Sequence, residues 1–596
     1  MLKSWFSVLV AAHLITLIRA DTWCGKNYKS SLPPVTPGGN FPIPSQSKDP
    51  LLAFRCAPAI RPYLAEDVST PASVLIDSPV VYSQITDAKA IDLGSAPQKL
   101  NVTISLNGKT LANAMVPLNA TAYEIPFSLL SIQPQAASYN LTCDAAYTTT
   151  GHSAAPQTFS ASTALYVLPN PSSGSVTKMD LRTGALLAKP ATGNGGDYEA
   201  VFPIGFYTQF DGYLTNLSVI DELKDQGFNM IHPVPTFSNM TLFEQVVDKM
   251  QEVGMYLMYD MRWTYMNSTS VTEQVNALKN KPNLLLWYTG DEPDGTSDPL
   301  DATTEAYDLI YSLDGYHPVS LVLNCQDYYW VDYTAGTDIV MHDVYMIGNN
   351  VSYSNQWNTV CTPDYGDCGC DNCVSIPAGD TAAVPPNSTL PPGPVPANSG
   401  VGTYFNIANR GSSFESRLDV MGWRRSKAIW TVPQAFGGGE YWVRVPTGQE
   451  WVVQSIVGIN HGALGVVPWS DPTPADIKTA SSAFAKSLPN ITPFLFNPQA
   501  VHNRGNYVVG GVDIATWSTG SQTLVLAANT NYVDQTVSWM DIGVNGLTTT
   551  VVFQSGNVGS TSDGFTLGGV GAGAFVVQSN QPMASSATKR QYIMYV

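Results

Sequence analysis

The sequence predicts a multidomain chain in which a central TIM (β/α)8 barrel stands between an N-terminal and a C-terminal β-sandwich. Three observations predict it. Between about residues 200 and 490, short apolar runs alternate with amphipathic helical stretches. Glycines close successive helices, as at Gly227 and Gly254. On both sides of this region the apolar pattern has the period of strands and helical spacing is scarce.

Residues 1–20 read as a signal peptide: Lys3 supplies positive charge and residues 5–18 are mostly apolar but too short to span a bilayer. Residues 21–195 form the first predicted sandwich. There, 100–106 alternates as Leu-Asn-Val-Thr-Ile-Ser-Leu and runs into Asn107-Gly108, a hairpin turn signal. Residues 196–495 form the barrel. Its strands are expected at 202–206, 228–232, 255–260, 283–288, 319–324, 338–344, 428–434 and 463–468, with helices at 214–227, 242–254, 270–280, 303–313 and 449–461. Eight strands over roughly 290 residues fit the fold. An open doubly wound sheet would want a glycine-rich phosphate loop after its first strand, and Gly205-Phe206-Tyr207-Thr208 is not one. A long Cys- and Pro-rich insertion is expected at 348–412, its cysteine part an ordered lobe on the barrel mouth and its Pro-rich part mobile. Residues 496–580 return to β spacing as the second sandwich, and 581–596 read as a disordered tail.

The chain has 596 residues, a net charge of −18 and only 13% charged residues, a surface that repels nucleic acid and anionic membranes. The eight cysteines are expected to form disulfides in an extracellular or cell-wall setting. The cluster Cys361, Cys368, Cys370 and Cys373 lacks a nearby histidine and is not read as a zinc site, and no metal or cofactor is expected. Asn-x-Ser/Thr sites at Asn101, Asn119, Asn140, Asn216, Asn239, Asn267, Asn350, Asn387 and Asn490 are expected on the surface, several carrying sugar.

Active sites of such barrels lie at the C-terminal ends of the strands. Those ends carry Tyr207, His232, Asp260 with Arg262 and Trp263, Asp291-Glu292-Pro293-Asp294, Asn324, Asp343 with Tyr345, Gln434, and Trp469. Carboxylates, amides and aromatic rings on one rim suit a sugar: rings stack on its C–H faces and polar groups fork onto its hydroxyls. Each residue also has a plainer role open to it. Asp291 and Asp294 could cap a helix, Asp260 and Arg262 could be a structural ion pair, and His232 could bond within the barrel. Trp263, Trp330 and Trp469 are candidate stacking platforms; Trp287 reads as core and His461 as structural.

The Asp291-Glu292-Pro293 run after a Trp-containing fourth strand, and Gln434-Ala435-Phe436 followed by Val445-Pro446-Thr447, resemble the barrel glycoside hydrolases of clan A and their uncharacterised secreted relatives over about residues 200–490. The resemblance implies that Glu292 is the general acid/base, with Asp291 in place of the usual Asn. It also places a nucleophilic Glu at the end of strand seven, where this chain has Gln434. An amide cannot be a nucleophilic carboxylate, so Asp343, Asp260 or Glu440 must serve, or the substrate must assist. Gly290-Asp291-Glu292 also looks like family 20 hexosaminidases, in which the Asp orients the substrate's own N-acetyl group.

The expectation is a secreted, metal-independent glycoside hydrolase acting on a polysaccharide or oligosaccharide. Glu292, Asp291 and Asp343 are its catalytic candidates, with like-charge repulsion from Asp291 raising the acid's pKa. Tyr207, His232, Asp260, Arg262, Asn324, Tyr345, Gln434, Glu440 and Trp469 are its substrate-binding candidates. A carbohydrate-binding or cell-wall protein on a degenerate barrel is the rival.

Overall fold

The computed structural model describes residues 22–33, 35, 38–94, 99–148, 156–349, 353–354, 358–362, 365, 402–439, 441–503, 510–544 and 548–578. Most of the insertion, the tail, residues 1–21, Asn350, Asn387 and Glu440 lie outside them.

The centre is a curled, all-parallel sheet. Its strands in chain order are Tyr207–Gln209, Met230–Val234, Tyr256–Asp260, Leu284–Asp291, Val319–Leu323, Ile339–His342, Ala428–Thr431 and Ala463–Val466, continued by Trp469–Asp471. The two ends of the sheet meet: Ile204 bridges Val466, and Tyr207 pairs with Trp469. Most strands are buried on both faces, as in a sheet jacketed by helices.

Local signals set the helix ends. Asn239 caps Met240–Val253 by accepting from the Thr241 and Leu242 amides, and Gly254 closes it at φ 75°. Thr447 and Glu450 form a capping box on Gly448–Asn460. Asn239 and Asn267 are exposed, so both serve as caps while sitting in glycosylation sequons.

Three barrel helices depart from the sequence reading: Trp330–Ala335, Tyr404–Met421 and Ala475–Leu495. The second starts inside the stretch expected to be insertion. It follows the Pro-rich run and carries Gly411, Ser412 and Ser413, which weaken a helical pattern. The third contains Pro489 and Pro493, which sequence rules read as breaks. The first strand begins later than expected, and its helix shortens to Ser218–Asp225 behind a turn at Phe210–Leu214.

Before the barrel, a four-stranded antiparallel sheet around Lys99–Leu106 and a three-stranded one around Ala72–Asp77 enclose one apolar cluster including Val74, Ile104 and Leu141. A smaller sheet, with Thr177–Asp180 and Ala185–Ala188, closes the floor of the barrel. Its Met179 and Leu186 join Met230, Met258 and Leu286 in one core. After the barrel, a five-stranded and a three-stranded antiparallel sheet share a core around Trp539 and Phe575. The larger sheet packs on Gly448–Asn460 and Ala475–Leu495 through residues such as Trp517 and Leu524.

Two disulfides join Cys24 to Cys325 and Cys56 to Cys143, and Cys361 is also disulfide-bonded. Cys56–Cys143 ties the two N-terminal sheets across 87 residues of sequence. Its removal by Cys56→Ala with Cys143→Ala is expected to cost about 2–4 kcal/mol of stability, read as a lowered melting temperature with the barrel fold retained.

Candidate active site

Strand four delivers its two acids by an irregular ending. Its register against strand five shifts between Tyr288 and Asp291, a bulge of the kind that re-aims side chains at barrel rims. Glu292 then takes φ 52°, a left-handed conformation that costs a non-glycine residue about 1–2 kcal/mol. Such outliers concentrate at functional sites. The Glu292 amide still donates to the Val322 carbonyl at 3.1 Å. Gly290 is required here: a Cβ would lie 2.9 Å from the Pro293 ring.

Asp291 and Glu292 therefore serve two different clusters. Asp291 accepts from the Tyr288 hydroxyl and from Arg262 Nη1 at 2.6 Å. Arg262 also binds Asp260, at 2.8 Å. Its guanidinium carbon lies 5.1 Å from the Trp469 ring centroid, 5.4 Å from Tyr207 and 5.6 Å from Tyr288. His232 shares a 2.8 Å hydrogen bond with Asp260, and its ring centroid lies 4.0 Å from that of Tyr207. Burial pushes the His232 imidazole below its ordinary range despite Asp260. Burial opposes the charge on Arg262, but Asp291 and then Asp260 hold it well above its ordinary range.

Glu292 faces strand five. Asn324 Nδ2 donates to Glu292 Oε1 at 3.0 Å and to Asp343 Oδ1 at 3.4 Å. The same nitrogen touches both, so these two oxygens lie within about 6.4 Å of each other. Asn324 Oδ1 accepts from the Trp23 indole at 2.9 Å, and its carbonyl accepts from Arg410 Nη1 at 2.5 Å. Asp343 is 3% exposed, and buried Tyr345 lies within the electrostatic reach of both Asp343 and Glu292.

Several sequence-based assignments change. The Asp291 carboxylate is engaged by Arg262 and Tyr288, so it braces the barrel mouth. A substrate-assisted reaction would need those same oxygens for the acetamido group, which weighs against that reading. Asp260 accepts from Arg262 and shares a hydrogen bond with His232 Nε2, while the buried His232 Nδ1 has no partner among the described residues. Gln434 is fully buried and holds backbone groups of Ile347 and Phe436, so it is a brace and not a substrate ligand. Trp330 is buried against Phe41, Phe414 and Trp423 and offers no platform. Trp469 is half-buried beside Arg262, and Trp263 is 69% exposed on the rim. Glu440 lies outside the described residues.

One residue, Trp23, escaped the sequence reading, and Asp294 was read only as a possible helix cap. Trp23 comes from far upstream in the chain. Asp294 is fully buried and accepts from the backbone amides of Gly295, Asn324 and Cys325 at 2.9, 3.2 and 2.7 Å. The signals were faint: Asp294 is the third acid of a short run, and Cys24 and Cys325, each next to a site residue, gave no pairing on spacing alone.

Burial, opposed by those amides, pushes the Asp294 carboxyl up to about 8. The folded state then holds a proton that the unfolded chain has lost above a pH of about 4. The contribution of Asp294 to stability therefore falls as pH rises from about 4 to about 8, while buried His342, held down to about 3, contributes in the opposite direction up to about 6.5. In denaturant titrations across that range, the stability of the wild type relative to Asp294→Asn is expected to fall as pH rises, which isolates the contribution of Asp294. Arg262→Met, which leaves two carboxylates without their cation, is expected to cost about 3–5 kcal/mol in the same assay.

Neither a protein-family model nor a curated protein sequence matches the chain. Solved structures similar to it include glycoside hydrolases. An FMN-binding β-glucuronidase from Facaelibacterium prausnitzii is 12% identical with a TM-score of 0.33, over 90% of this chain and 70% of that one. A β-D-glucuronidase from Dictyoglomus thermophilum is 11% identical with a TM-score of 0.29, and the chain spans 62% of its length while 71% of this chain is covered. A family 30 subfamily 8 xylanase from Clostridium acetobutylicum is 11% identical with a TM-score of 0.34, over 63% of this chain and 96% of that one. At these scores the functional reading rests on the side chains and not on the likeness.

Proposed function

We propose that the chain is a glycoside hydrolase acting outside the cell on a neutral or amino-sugar glycan, with Glu292 as general acid/base and Asp343 as nucleophile. The observation that carries this reading is the sharing of the Asn324 amide by two carboxylates at the barrel mouth. One nitrogen within 3.0 and 3.4 Å of the two carboxylates keeps the pair close, which supports double displacement, the mechanism that uses the closer spacing. Glu292 gives its proton to the glycosidic oxygen as the bond from that oxygen to the anomeric carbon breaks. Asp343 forms an ester to the same carbon. Water then attacks that carbon, Glu292 takes the water's proton, and the ester bond breaks to free Asp343. Trp469 and Trp263 offer rings for stacking. The signal-like leader, the disulfides and the sequons support an extracellular setting. All seven described sequon asparagines are exposed.

Gln434 favours a second reading, a non-catalytic glycan binder, because strand seven ends in an amide locked to the backbone. Turnover separates the two. Release of sugar from 4-methylumbelliferyl glycosides and from plant and microbial polysaccharides is expected for the wild type. Glu292→Gln and Asp343→Asn are each expected to lower it about 10²- to 10⁴-fold. Sugar retention without release would support the binder, and undiminished rates in either variant would move the chemistry elsewhere.

A further inference from the structure

The segment before the first sandwich lies on the loops that follow strands four and five. Its Cys24 is bonded to Cys325, one residue beyond Asn324 and 301 residues away in sequence. The contact is close. A Cβ on Gly25 would lie 2.6 Å from the Tyr328 ring, Gly39 accepts from the Tyr329 amide at 2.9 Å, and Phe41 packs edge-on against Trp330 at 5.8 Å. Trp23 lies on the backbone of Gly295, in the loop that carries the acids: a Cβ there would be 2.4 Å from its Cζ2. Its ring is half-buried, and its N–H reaches Asn324 Oδ1 at 2.9 Å.

An asparagine amide has two ends of opposite polarity and nearly equal shape. If Asn324 turned over, its oxygen would face the oxygens of Glu292 and Asp343. The indole N–H is a donor only, so it accepts just the orientation that sends Nδ2 toward both carboxylates.

We propose that Trp23 is a positioning residue of the site, holding the Asn324 amide toward Glu292 and Asp343, and that its ring is a sugar-stacking surface contributed by a strap clamped through Cys24–Cys325. This rests on the reading of Glu292 and Asp343 as the reacting pair. The positioning acts in every turnover, and the ring acts on binding. The two contributions therefore separate in kinetics.

The test is a double-mutant cycle in the full chain. Trp23→Phe keeps an aromatic ring and removes the N–H; it is expected to lower kcat about three- to tenfold, the worth of one hydrogen bond, with KM little changed. Trp23→Ala is expected to lower kcat similarly and also to raise KM. In an Asn324→Ala background, Trp23→Phe is expected to cost nothing further, because its target is gone. Gly295→Ala, which leaves both partners in place and displaces the ring, is expected to reproduce Trp23→Ala. An undiminished kcat in Trp23→Phe, or losses that multiply independently in the double variant, would overturn the proposal. If the wild type turns over no glycoside, the hydrolase reading fails separately. The coupling is then read in the affinities of the same variants for cellohexaose and chitohexaose, where non-additivity supports the proposal and additivity overturns it.

Discussion

The amide of Asn324 sets the distance between two carboxylates that would otherwise drift apart. Two acids close together repel, and burial worsens the repulsion. A doubly donating nitrogen between them holds the pair together with one hydrogen bond to each. The surroundings then serve to fix that nitrogen. Asp294 holds the Asn324 and Cys325 backbone amides, Arg410 holds the carbonyl, and the indole of Trp23 holds the amide oxygen. The side chain keeps one orientation because donors and acceptors surround it on every side but the open one.

Beside this pair stands a second cluster with a different task. Arg262 carries the positive charge between Asp260 and Asp291, under three aromatic rings, deep in the mouth. Buried charge is costly unless paired and hydrogen-bonded, and here the pairing is almost complete. The cluster gives the mouth a rigid floor of rings and fixes the end of strand four. A bulge followed by a left-handed Glu292 then turns the next carboxylate away from that floor toward strand five. Neighbours in sequence thus become members of separate networks.

That separation explains which features could be read from the chain. Seven of the eight barrel strands were legible as short apolar runs, helped where a capped helix follows, as at Asn239 and Gly254, while the first was displaced to Tyr207–Gln209. Rim residues were legible because strand ends point one way in this fold. Their division of labour was not. Adjacent acids look alike in sequence, and only backbone geometry sends Asp291 to Arg262 and Glu292 to Asn324. The helix Ala475–Leu495 was hidden by two prolines that its packing against the C-terminal sheet tolerates. Trp23 was hidden because its contact spans some three hundred residues and local patterns carry no such information. Gln434 looked like a ligand for the converse reason: position marks it, and only its hydrogen bonds show it to be a brace.

The central claim is that Asp343 and Glu292 act as a nucleophile and acid pair. It is tested most directly by trapping the covalent intermediate. The protein would be incubated with 2-deoxy-2-fluoro glycosides that carry good leaving groups, digested, and mapped by peptide mass spectrometry. The account predicts one added glycosyl mass, on the peptide containing Asp343 and lost in Asp343→Asn. A glycosyl adduct on any other carboxylate, or turnover of the unfluorinated glycoside with inversion of anomeric configuration, would contradict it.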